Sequence, residues 1–173
     1  MSGSDKPFDA GRPRPIPTVL DTLRARLDLD AVDAVAFSLE SVVADLGYGD
    51  LRPIPGSVAW IDRLRADGKR TALMFSGESA AAALRLAGID DRFDAVLSGP
   101  RTPETVREAL AAVGAAPERA IVVDVLPDGL VAAREAGCRL TVAVARGPAT
   151  PEALRRSGAA AIVADLQELL GPA

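Results

Sequence analysis

Four short stretches of this chain carry hydroxyls, carboxylates and a guanidinium that could act together: Ser38-Leu-Glu-Ser41, Ser76-Gly-Glu78, Ser98-Gly-Pro-Arg-Thr102 and Asp124-Val-Leu-Pro-Asp128. Each directly follows an apolar run. Their groups suit acid–base work by a carboxylate, capture of an anion by arginine, or binding of a hard cation through carboxylate oxygens. Composition excludes other chemistries. The chain has no histidine, hence no Ser-His-Asp triad, Cys-His dyad, imidazole base or His-ligated metal. Its single cysteine, Cys138, leaves no Cys₄ zinc site and no internal disulfide, and just ahead of an apolar run it reads as a small core residue. No Gly-x-Gly-x-x-Gly follows a strand, and there is no Gly-Lys-Ser/Thr phosphate loop.

The elements that must position these groups show in the periodicity. Apolar runs at 32–37, 71–75, 95–97, 120–123, 140–145 and 160–163 alternate with amphipathic stretches at 57–67, 78–87, 103–113, 127–136, 151–157 and 166–170. Gly68, Gly88, Gly114, Gly137 and Gly158 stand just past helical stretches, where a left-handed residue ends a helix. Near-continuous apolar strands separated by helices predict an α/β protein with a parallel sheet covered on both faces. In such a sheet ligands sit beyond the carboxyl ends of the strands, so the four polar stretches share one rim. Residues 1–17, rich in Pro and Gly, read as a flexible arm, and 18–173 as one domain. That domain opens with a helix capped by Thr18 and striped by Val19, Leu20, Leu23 and Leu27. A formal charge of −4, with no basic run longer than a pair, argues against nucleic acid or an anionic membrane as partner. No stretch approaches 18 uncharged apolar residues and no export signal is visible, so a cytoplasmic location is expected.

The stretch Asp33-Ala-Val-Ala-Phe-Ser-Leu-Glu-Ser-Val-Val43 looks like a first strand running into a Phe-Asp-x-Asp-Gly motif. With Pro53-Ile-Pro-Gly56, Gly88-Ile-Asp-Asp-Arg-Phe93 and Gly114 to Gly137 in order behind it, residues 31–170 resemble the haloacid dehalogenase (HAD) superfamily, in its phosphatase and phosphoglucomutase-like branch. The resemblance implies a three-layer Rossmannoid fold around a central parallel sheet. It places Ser38 and Glu40 at the two motif I aspartates and Asp124, followed by Val125, at the acidic pair of motif IV. The motif III lysine falls on Pro100 or, with a one-residue gap, on Arg101. Motif II falls on Ser76 when counted back from Phe93 and on Phe75 when counted from Gly68. Ser76, Gly77 and Arg101 are then the phosphate-binding positions, and Asp124 the one carboxylate left for Mg²⁺. Asp124 also reads as a helix N-terminal anion, and Arg101 as a solvated surface arginine. Only residues 41–52 separate motif I from the next helix, enough for a small flap turning at 47–49 and too few for a cap.

These substitutions bear on activity. A serine hydroxyl with no adjacent base is a poor nucleophile, and nothing here activates Ser38. Glu40 keeps an acid, but its extra methylene moves the oxygens by about an ångström, a shift that can cost roughly 10²-fold in rate. The sequence therefore leads us to expect a catalytically degenerate HAD-like protein that works by binding a ligand or a partner, with no cofactor. A second subunit or another protein would cover the open, capless site. The alternative is a Mg²⁺-dependent phosphatase using Glu40, Arg101 and Asp124. Trp60, beside Ile61 and Leu64, is expected in the core.

Overall fold

The computed structural model describes residues 19–45, 50–77 and 80–171. The expected arm at 1–17 and the flap turn at 47–49 lie outside the described residues. Six of the apolar runs form β1 (Ala34–Ser38), β4 (Arg70–Phe75), β5 (Ala95–Ser98), β6 (Ala120–Asp124), β7 (Leu140–Val144) and β8 (Ala161–Val163). They make one parallel sheet in the order β5-β4-β1-β6-β7-β8. The helices are α1 (Val19–Leu27), α2 (Pro55–Ala66), α3 (Ala80–Ala87), α4 (Pro103–Ala112), α5 (Pro127–Glu135) and α6 (Pro151–Arg156). The five glycines expected to stop helices all have φ between 68° and 87°.

Alternation along the central strand divides the core in two. Val35 and Phe37 of β1 point to one face, into a cluster of large side chains that includes Trp60, Ile61 and Leu64 of α2 and Leu84 of α3. Trp60 is fully buried there and meets Phe37 edge-to-face, with ring centroids 5.8 Å apart and planes at 76°. Ala34 and Ala36 point to the other face, where Ala72 and Ala120 meet Val106 and Ala109 of α4 and Ala132 and Ala133 of α5. One side of the sheet is packed with bulky residues and the other largely with methyl groups.

Three departures from the periodicity each have a physical reason. The first strand begins at Ala34 rather than Val32, because Val32 is spent closing a 3₁₀ turn over Leu29–Ala31 and is buried without strand pairing. α2 starts two residues early, at Pro55, whose missing N–H costs nothing in the first helical turn. The last stretch is a 3₁₀ turn, Leu166–Leu169, in place of a helix, begun by the Asp165 carboxylate accepting the Gln167 N–H at 2.8 Å. Its Leu166 and Leu169 are buried, and it lies so close to α2 that a Cβ on Gly56 would stand 1.8 Å from Asp165 Oδ1.

After β1 the chain makes a 3₁₀ turn over Leu39–Ser41 and then an antiparallel pair, β2 (Val43–Asp45) with β3 (Leu51–Pro53), where the flap was expected. Two buried serines fasten it. Ser41 Oγ donates to the Ser38 carbonyl and Ser57 Oγ to the Ser41 carbonyl, each at 2.7 Å. Among the described residues no helix is long and apolar enough to cross a membrane.

Candidate functional site

Strand register sets the site. β1 lies between β4 and β6 with Ser38 opposite Met74 and Phe37 opposite Val123, so Ser38 and Asp124 end neighbouring strands. Ser38 is 3% exposed and its hydroxyl has no hydrogen-bond partner. It lines a cavity with Phe75, Ser76, Arg101, Thr105 and Asp124, whose free space of about 20 Å³ is that of a single water.

Asp124 is held on both oxygens. Oδ1 accepts the N–H groups of Val125 and Leu126 at 2.7 and 3.2 Å, and Oδ2 accepts Arg101 Nε at 3.1 Å. The carboxylate is 2% exposed and sits against Gly129 in the first turn of α5, where a Cβ would come within 1.7 Å of Oδ2. Arg101 continues past Asp124: its Nη2 donates to Glu40 Oε2 at 2.9 Å. One guanidinium, 23% exposed, thus joins a buried carboxylate to one that is 47% exposed. Burial works against the charge on Arg101, but Asp124 and then Glu40 outweigh it, and the guanidinium holds its proton more tightly than an ordinary arginine.

The expected residues do not all meet. Ser38, Ser76, Arg101 and Asp124 line one cavity, and Glu40 joins them only through Arg101. Both alternatives for motif II line it as well: Phe75 ends β4 and packs partly on the bulky core, while Ser76 stands beyond it, exposed. Gly77 is outside the cavity lining, at φ 116°, and its carbonyl accepts from Ser98 Oγ at 3.4 Å. Arg101 is not the solvated arginine of one sequence reading. Pro100 also lines the cavity but brings no charge. Sequence reasoning missed Thr105 and Gly129, and placed Thr102 at the rim without its role as a helix cap. Thr102 accepts the Thr105 N–H as cap of α4, which Thr followed by Pro and Glu could have signalled. For Gly129 no local pattern exists, since its reason is the carboxylate pressed against it. Cys138 is half-buried, and burial foremost, with Glu118 adding to it, pushes its thiol up to about 12, so it is unreactive.

A parallel sheet with its polar groups gathered past the strand ends defines a Rossmannoid α/β protein. The chain belongs to the haloacid dehalogenase-like hydrolase family, whose model matches residues 10–137. Solved structures carry the same fold at low identity. A candidate β-phosphoglucomutase from Thermotoga maritima superimposes with a TM-score of 0.72 at 17% identity, over 80% of this chain and 97% of that one. A HAD family hydrolase from Deinococcus radiodurans R1, solved with bound phosphate and sodium, gives 0.70 at 20%, over 83% and 99%. CbbY from Rhodobacter sphaeroides, in complex with phosphate, gives 0.63 at 17%, over 80% and 96%. No curated protein matches.

These residues do not suit Mg²⁺, the ion that the resemblance implies. Magnesium wants a near-octahedral set of oxygens that includes one or two free carboxylates. Here Ser38 offers a neutral hydroxyl, both Asp124 oxygens are taken, and Glu40 is paired with a cation. Among the described residues no group of three His, Cys, Asp or Glu is placed to hold a metal ion.

Proposed function

We propose that this chain is a capless member of its family that binds a ligand or partner at the strand-end cavity and does not hydrolyse it. The observation that carries this reading is the Glu40–Arg101–Asp124 bridge. An acid–base carboxylate must be free to reach a leaving group, yet Glu40 Oε2 is taken up by the Arg101 guanidinium at 2.9 Å. A nucleophile needs a base within hydrogen-bond reach, and the Ser38 hydroxyl has no partner. The short segment between β1 and α2 supports the capless part of the reading. A site without a cap loses the exclusion of water that strengthens electrostatic catalysis, and a second subunit or a protein partner over the strand ends would restore it. In this reading Ser76 and the remaining N–H groups of Arg101 face the ligand from the rim.

The second reading, a Mg²⁺-dependent phosphatase working with Glu40, Arg101 and Asp124, is favoured by membership of a family of hydrolases and by structural neighbours solved with phosphate. One assay separates the two. Purified protein with millimolar magnesium is incubated with aryl and sugar phosphates, and release of phosphate no faster than in buffer is expected. Turnover of about one per second, the low end for ordinary enzymes, abolished by Asp124→Ala, would establish the phosphatase instead.

A further inference from the structure

Glu40 and Asp124 approach from the ends of two different strands, and what joins them is a single side chain, Arg101, which reaches Asp124 through Nε and Glu40 through Nη2. A buried carboxylate such as Asp124 needs its charge balanced within the protein. Two backbone N–H groups serve one oxygen and Arg101 serves the other. The third oxygen at this rim, Ser38 Oγ, is buried beside them with no partner at all. Two carboxylates and an unsatisfied buried hydroxyl are oxygen ligands of the kind a hard cation takes.

We propose that Arg101 is the resident cation of this site: its guanidinium takes the place of a divalent ion between Glu40 and Asp124, and removing that one side chain opens a Mg²⁺ site. The proposal rests on the non-hydrolytic reading above and adds the reason for it. With Arg101 in place, a dication entering the cavity would face a fixed positive charge at contact distance and carboxylates already satisfied. Without it, Glu40, Asp124 and the Ser38 hydroxyl carry two uncompensated negative charges around a space that water can fill.

The test is thermal unfolding of the full chain against magnesium at constant ionic strength, with no phosphate ester present. The native protein is expected to show no saturable rise in Tm. Arg101→Gln is expected to show one, with an apparent affinity at least about tenfold above any native response, because the site loses a positive charge. Adding Asp124→Asn should remove the rise, and Arg101→Lys, which restores a cation, should remain unresponsive. A saturable shift in the native protein that Asp124→Asn abolishes would overturn the proposal. So would an Arg101→Gln variant that melts cooperatively yet ignores magnesium. If Arg101→Gln does not fold, Mn²⁺ titration of the native chain by amide line broadening decides: selective broadening at Ser38 and Val125 overturns the proposal, and broadening confined to exposed carboxylates elsewhere supports it. Because no ester is present, failure here leaves the hydrolysis assay to judge the non-hydrolytic reading separately.

Discussion

Asp124 and Glu40 are both paired with Arg101, yet burial makes them unequal. Removing Asp124 strands a partly buried guanidinium and orphans two backbone N–H groups, so Asp124→Ala should cost about 3 kcal/mol in urea unfolding. Glu40→Gln, at an exposed pair, should cost less than about 1 kcal/mol in the same measurement. Gly129→Ala should also destabilise, since its new methyl falls on the Asp124 carboxylate. In an Asp124→Ala background that carboxylate is gone, so the penalty for Gly129→Ala should shrink. Strict additivity of the two in a double-mutant cycle would show that their contact carries no strain. Ser38, Glu40 and Asp124 could be found in the sequence because each stands at or just past the end of an apolar run. The bridge itself could not, because Arg101 stands 61 residues from Glu40 and 23 from Asp124, and no local pattern reports which rim residues meet.

The elements were the most legible level, since burial on both faces of a parallel strand writes a continuous apolar run. What periodicity cannot separate is burial from pairing. Val32 is as buried as Val35 but makes a turn, and Leu166 and Leu169 reach the core from a 3₁₀ turn rather than a helix. The junction of β4 and β5 carries a pH response. Partial burial pushes Asp94 up, but the Thr71 N–H at 2.8 Å and Arg65 outweigh it and hold the carboxyl below its ordinary 3.8. A carboxyl lowered by folding adds stability that is present above its unfolded value and lost as pH falls through the folded one. Denaturant titrations below pH 3.8 should therefore show a steep acid limb that Asp94→Asn makes shallower. An unchanged limb would mean that the Thr71 and Arg65 contacts do not distinguish folded from unfolded chain.

At the scale of the whole molecule, the C-terminal turn packs against α2 and closes the bulky side of the core, which joins the end of the chain to its middle. Truncation after Val163 removes Leu166 and Leu169 from that core and should unfold the protein, read as loss of the thermal transition in circular dichroism. Trp60, the only tryptophan, sits under Phe37, and its fluorescence should change at the same denaturant concentration as the far-ultraviolet signal. The opposite, methyl-lined side has a different consequence. Of that cluster, Met74, Val106 and Ala132 line the strand-end cavity, while Ala34 and Ala120 begin their strands at the opposite end. Enlarging Ala132 would press α5 away from the sheet, and Gly129 with it. Depth on this side of the rim is thus set by Met74 and Val106, whose shortening would enlarge the cavity.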